Sequence, residues 1–105
     1  MLLTMEPRIR AAALWIPGLY LEPIPAEADA INFVTRMNTP ALVLSGRYDY
    51  NFPDDTSSRP FFDLLGTPAQ DKRRVVYDTG HNLPFADAVK QTLDWFDRYL
   101  GPVQR

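Results

Sequence analysis

A single histidine, His81, occurs in the 105 residues, and its neighbourhood gives it chemical meaning. It stands in Asp78-Thr79-Gly80-His81-Asn82-Leu83-Pro84, after the β-branched and aromatic run Val75-Val76-Tyr77 and before an amphipathic stretch. A strand-to-helix loop is where a parallel α/β sheet places a general base. Earlier in the chain, Ala41-Leu42-Val43-Leu44 ends in Ser45-Gly46-Arg47-Tyr48-Asp49, which puts a carboxylate in the equivalent position. Acyl transfer uses such a pair: one imidazole nitrogen takes the nucleophile's proton, while the other donates to a buried carboxylate that fixes the tautomer and stabilises the imidazolium. Asp49 is therefore the candidate acid and His81 the candidate base. Asp78 is the alternative acid, although sharing a loop with His81 makes the required approach harder. An ordinary turn aspartate paired with Arg47 is the plainer reading of Asp49. No nucleophile accompanies the pair. The chain has no cysteine, and none of Ser45, Ser57 and Ser58 lies in a G-x-S-x-G elbow. Ser45 falls at a strand end, tied into the sheet and without the strained turn that projects an elbow serine.

The elements that must position these residues follow from pattern. Ile9 to Ile16 is a short apolar run stopped by Pro17-Gly18, the signature of a buried strand. Pro23, Pro25, Glu22, Glu27 and Asp29 make a loop, and Ala28 to Val34 has the composition of one helical turn. Pro40 biases Thr39 toward extended backbone, so the second strand starts near Ala41. Asp54 to Ser58 supply N-capping side chains for a short helix containing Pro60, with Phe61, Phe62, Leu64 and Leu65 as its apolar face and Gly66 as a left-handed stop. Arg73 to Tyr77 form a third strand. The last helix carries Val89, Leu93, Phe96 and Leu100 at helical spacing, with Asp94 placed to pair with Arg98 and a Gly101-Pro102 stop. The order strand, connection, strand, helix, strand, helix predicts an α/β fold of three parallel strands with flanking helices. Adjacent strands about 4.8 Å apart would bring the Asp49 and His81 loops within hydrogen-bond reach.

Composition narrows the classes. The net charge is −2, and basic residues are scattered apart from Lys72-Arg73-Arg74, so the chain lacks the footprint of a nucleic-acid binder. Without cysteine there is no disulfide or thiolate–metal site. The start of the chain does not read as a signal peptide, and the run Ala11 to Ile16 is too short for the about 20 residues of a membrane span, so a soluble protein is expected, cytoplasmic if made as this chain alone. The aromatic residues Trp15, Tyr20, Tyr48, Tyr50 and Phe52 suit core packing or loop anchoring, or the lining of an acyl pocket. Trp95 and Tyr99 suit helix packing.

The acid loop 41–49 and the histidine loop 75–81, each with its following helix, resemble the C-terminal part of an α/β-hydrolase, whose active groups run serine, acid, histidine. More narrowly, Leu64-Leu65-Gly66-Thr67-Pro68, Gly80-His81 and Leu93-Asp94-Trp95-Phe96-Asp97-Arg98-Tyr99-Leu100-Gly101-Pro102 resemble the tail of bacterial dienelactone-hydrolase-like or prolyl-oligopeptidase-like proteins. Some of these are terminal modules of longer chains, including fusions behind a serine/threonine protein kinase. The resemblance runs from about Arg8 onward and implies that residues 1–105 are the C-terminal segment of one hydrolase domain. The nucleophile elbow and both oxyanion donors would lie before the matched segment. It further implies a serine hydrolase acting on a small ester or peptide-like substrate without metal or organic cofactor, inactive as an isolated chain. The partner expected is a complementing N-terminal half, or a second copy associating through strand 9–16. A non-catalytic interaction module using that strand's exposed edge, and a truncated gene product, are the alternatives.

Overall fold

The computed structural model describes residues 2–19, 25–26 and 29–101. The expectations placed on Tyr20, Glu22, Pro23, Glu27, Ala28 and Pro102 lie outside these residues. The described elements are α1 (Leu2–Met5), β1 (Ala12–Trp15), 3₁₀ turns at Ala30–Asn32 and Val34–Arg36, β2 (Ala41–Gly46), a π-helical turn at Asp54–Ser58, α2 (Arg59–Leu64), a 3₁₀ turn at Ala69–Asp71, β3 (Lys72–Tyr77) and α3 (Phe85–Leu100).

The three strands form one parallel sheet in the order β1-β2-β3, with Ala12 opposite Ala41 and Ala41 opposite Lys72. Every residue of β2 is buried, as expected for a continuous apolar run covered on both faces. Side-chain alternation splits the core in two. Ala41 and Val43 join Val34, Met37, Phe61 and Leu65 under α2, while Leu42 and Leu44 join Ala88 and Trp95 under α3. The result is a three-layer α/β arrangement. No helix among the described residues is long and apolar enough to cross a membrane.

Several local expectations are corrected by packing. The first strand is Ala12–Trp15, shorter than residues 9–16, because its partner β2 begins at Ala41 and Pro40 can offer no N–H beyond its carbonyl bond to Ala12 N at 2.9 Å. At the other end Ile16 takes a left-handed φ of 55°. That conformation costs a β-branched residue about 1–3 kcal/mol. Its N–H nevertheless bonds Leu44 O at 2.8 Å, and Ser58 Oγ donates to the next carbonyl, of Pro17, at 2.8 Å. The single turn read after Ala28 is a pair of 3₁₀ turns, the first capped by the Asp29 side chain.

Ser57 and Ser58 do not cap α2; they lie within the π-helical turn, and their hydroxyls reach back to the carbonyls of Leu19 and Pro17. Gly66 is not left-handed. Its lack of a side chain serves a close approach instead, since a Cβ there would come within 2.3 Å of Thr35 O and 2.9 Å of Met37 O. Gly101 does end α3, with φ 83°. On α3, the face against the sheet is Ala88, Thr92, Trp95 and Tyr99 with Phe96 at its margin, while Leu93 and Leu100 of the expected Val89-Leu93-Phe96-Leu100 stripe are exposed, and Asp94 pairs with Lys90 at 2.8 Å. Arg98 instead covers the Trp95 and Tyr99 rings, because two aromatic faces one turn apart offer the guanidinium more contact than one exposed carboxylate.

Candidate active site

β2 and β3 end side by side, and their pairing continues into the loops that follow. Arg47 N donates to Tyr77 O at 2.8 Å and Tyr48 N to Thr79 O at 3.0 Å. At the crossing point the two backbones touch: a Cβ at Gly46 would lie 2.0 Å from Gly80 O and 2.7 Å from Thr79 O. Only glycine permits that approach. The acid loop and the histidine loop are thereby locked in register before any side chain is considered.

Within this frame Asp49 Oδ2 meets His81 Nδ1 at 2.8 Å. The Asp49 side chain is fully buried and that of His81 is 53% exposed. The second carboxylate oxygen, Oδ1, accepts the N–H groups of Asn51 at 2.7 Å and Phe52 at 2.9 Å, an Asx-type turn that satisfies an otherwise costly buried charge. Burial pushes the Asp49 carboxyl upward, but the Phe52 amide, His81 and the Asn51 amide together outweigh it and hold the group below its ordinary value. An ionised Asp49 can only accept, so the imidazole proton resides on Nδ1 and the Nε2 lone pair is free to take a proton. Asp78, the alternative acid, turns away to an exposed pair with Arg47 at 3.4 Å.

The serines behave differently. Ser57 and Ser58 are buried and hydrogen-bonded to backbone as described, and Ser45 is wholly buried with no partner for its Oγ. None presents a hydroxyl at the surface. Tyr48 and Tyr50 are exposed rather than packed, and Trp15 is tethered by Nε1–H to Thr92 Oγ1 at 3.0 Å. Tyr77, at the end of β3, is pushed up to about 12 by burial and by its hydrogen bond to Asp87 Oδ2 at 2.5 Å. Among the described residues no group of three or more His, Cys, Asp or Glu could hold a metal ion.

A second carboxylate is almost as deeply buried. Asp54 opens the π-helical turn, pairs with the Arg74 guanidinium, and lies 3.7 Å from Arg59 Nη2. With Arg47, Asp55 and Val76 these residues line a cleft of about 330 Å³ that includes neither Asp49 nor His81. Sequence reading missed both Asp54's burial and the Asn51 and Phe52 donors. The Asp49-x-Asn-Phe order was the available signal for the second, as a side chain capping its own following amides.

No family model matches the chain. A comparison with curated proteins likewise finds no match. Among solved structures, the chain is similar to a cold-adapted esterase from an Arctic intertidal metagenomic library: to its PEG-bound complex at TM-score 0.74 and 20% identity, and to its native form at TM-score 0.74 and 22% identity. Each match covers 92% of this chain but only 39% and 41% of the esterase chain, so the 105 residues span about two fifths of the structures they resemble. This likeness establishes the fold, a partial α/β-hydrolase fold of three parallel strands with flanking helices.

Proposed function

We propose that this chain supplies the acid and the base of a serine hydrolase acting on ester or amide bonds, with Asp49 as acid and His81 as base. The observation that carries the reading is the 2.8 Å contact between His81 Nδ1 and a buried, doubly amide-bonded Asp49, with the other edge of the ring open. In the reaction, His81 Nε2 takes the proton of an attacking serine hydroxyl, Asp49 stabilises the resulting imidazolium, and the same proton passes to the leaving group. The nucleophile and the backbone donors for the tetrahedral oxyanion come from a polypeptide outside these 105 residues, since Ser45, Ser57 and Ser58 are buried. The quoted resemblance favours a bacterial dienelactone-hydrolase-like or prolyl-oligopeptidase-like parent, and the likeness to an esterase favours a small ester as substrate.

The test is hydrolysis of short-chain p-nitrophenyl esters by the purified chain, alone and joined to a nucleophile-bearing hydrolase portion. The chain alone is expected to show no turnover and no covalent labelling by a fluorophosphonate. The joined protein is expected to turn over and to lose activity in His81→Ala. Labelling of Ser45, Ser57 or Ser58 in the isolated chain would defeat the reading.

A further inference from the structure

β1 leaves the sheet through a strained residue. Ile16 holds a φ of 55°, which in a β-branched residue persists only where the surroundings over-determine it. Its N–H is bonded to Leu44 O at 2.8 Å. The next three residues are each fixed by the segment that follows the acid loop. Pro17 O accepts from Ser58 Oγ at 2.8 Å and Leu19 O from Ser57 Oγ at 2.6 Å, while Leu19 N returns a longer bond to Ser57 O at 3.4 Å. Between them Gly18 lies against Phe52, where a Cβ would stand 2.6 Å from Phe52 Cδ1 and 2.9 Å from Phe52 Cβ.

Ser57 and Ser58 are wholly buried, and their hydroxyls join segments 38 and 41 residues apart. Both of their amides bond Pro53 O, at 2.9 and 3.2 Å, so the hydroxyls project from a turn anchored on the residue after Phe52. The contacts then converge on Phe52 itself. Its side chain meets Gly18, its carbonyl lies 3.4 Å from Ser58 Oγ, and its N–H donates to Asp49 Oδ1 at 2.9 Å. Burial pushes the Asp49 carboxyl up, and among the influences that pull it down the Phe52 amide is the largest, ahead of His81. The residue that the clamp grips is therefore also the chief support of the ionised acid. An ionised Asp49 in turn keeps the imidazole proton on Nδ1.

We propose that the strained segment from Ile16 to Leu19, gripped by Ser57 and Ser58, holds the Phe52 amide on Asp49, which makes the two serines positioning residues for the acid–base pair. The inference rests on the roles proposed for Asp49 and His81. It gives the buried hydroxyls a task beyond closing a loop: they set the donor that keeps Asp49 charged and aimed at the ring.

The test compares Ser58→Ala with Thr67→Ala. Each variant removes a buried hydroxyl that donates to a backbone carbonyl, of Pro17 at 2.8 Å and of Thr39 at 2.7 Å, but Thr39 precedes β2 whereas Asp49 follows it. Urea denaturation of the purified chain is expected to show comparable losses of stability. Only Ser58→Ala is expected to move the Phe52 amide proton upfield and, at neutral pH, to shift the ring ¹⁵N signals of the sole histidine from the Nδ1–H toward the Nε2–H form. Its Asp49 carboxyl should titrate closer to 3.8. Gly18→Ala presses on Phe52 from the other side and should give the same signature, so the test survives a Ser58→Ala chain that does not fold. In the joined enzyme Ser58→Ala should lower kcat on the order of tenfold with KM unchanged, and Thr67→Ala should change neither. An unchanged Phe52 amide and His81 tautomer in folded variants would overturn the positioning role. An equal change in Thr67→Ala, or full turnover in Ser58→Ala despite the signature, would do the same. The signature in a chain whose joined wild type hydrolyses no ester would leave the grip on Asp49 standing and remove the hydrolase reading. Turnover without the signature would keep that reading and remove the grip.

Discussion

Two aspartates among the described residues are buried, and they are neutralised in opposite ways. Asp54 is held by Arg74 and approached by Arg59, so its charge is balanced by permanent cations and its oxygens are committed. Asp49 sits against two backbone amides and the Nδ1 edge of a half-exposed imidazole. A guanidinium cannot give up its proton at any accessible pH, whereas an imidazole can exchange one. The first arrangement can only fasten the π-helical turn to β3. The second keeps a proton-accepting nitrogen open to the surface, which is what acid–base chemistry requires.

Substitution separates the two most sharply. In the joined enzyme, Asp49→Asn is expected to lower turnover about 10⁴-fold, the magnitude known for the analogous change in a serine protease, because an amide facing Nδ1 favours the wrong tautomer. Its unfolding free energy should fall by only about 1 kcal/mol, since the remaining amide oxygen still accepts from Asn51 and Phe52. Asp54→Asn should do the reverse. It leaves the Arg74 guanidinium without its carboxylate and is expected to cost about 3 kcal/mol, the low end for a broken buried pair because Arg59 keeps Asp55 at 3.0 Å. Turnover per folded molecule should be unchanged. Urea denaturation beside steady-state kinetics measures both, and a large stability loss in Asp49→Asn with normal turnover would erase the distinction.

Gly46→Ala tests whether the loops, rather than the side chains, create the Asp49 site. Forcing a methyl against Gly80 O should cost about 1–3 kcal/mol by overpacking and part His81 from Asp49. Because His81 is the sole histidine, its ring ¹⁵N shifts report the change directly, moving from the Nδ1–H toward the Nε2–H form. An unchanged tautomer in a folded variant would show that the loop contact is not what aligns the pair.

Smaller effects should appear with pH. Asp49 titrates below its ordinary 3.8 in the folded chain, so the fold favours the ionised form; that stability is present above 3.8 and is lost as pH falls through the folded value. Asp49→Asn should flatten the acid limb of a stability–pH curve. Tyr77 is the opposite case. Its folded value of about 12 exceeds the ordinary 10.0, so its contribution is complete below pH 10 and disappears as pH rises toward 12. Tyr77→Phe should remove that alkaline loss, and a curve that keeps it would assign it to another group.

Much of this was legible in the chain itself. Alternating apolar runs, Pro40, Pro60 and Gly101 marked three strands and two helices in the right order, and a parallel sheet of adjacent strands was enough to bring Asp49 toward His81. On α3 Phe96 of the expected stripe packs on the core but Leu93 and Leu100 stay exposed, because sequence hydrophobicity cannot say which of two neighbouring apolar faces meets the sheet. Burial of Asp54 was equally hidden, since its counterions Arg59 and Arg74 come from separate elements. The sequence by itself determined the three strands and the two longer helices, their order and the residues able to exchange a proton, because these depend on local periodicity and side-chain chemistry. Only the tertiary structure decided that Asp49 rather than Asp78 holds His81 and that Gly46 makes room for the histidine loop, because each depends on backbone contacts between segments far apart in the chain.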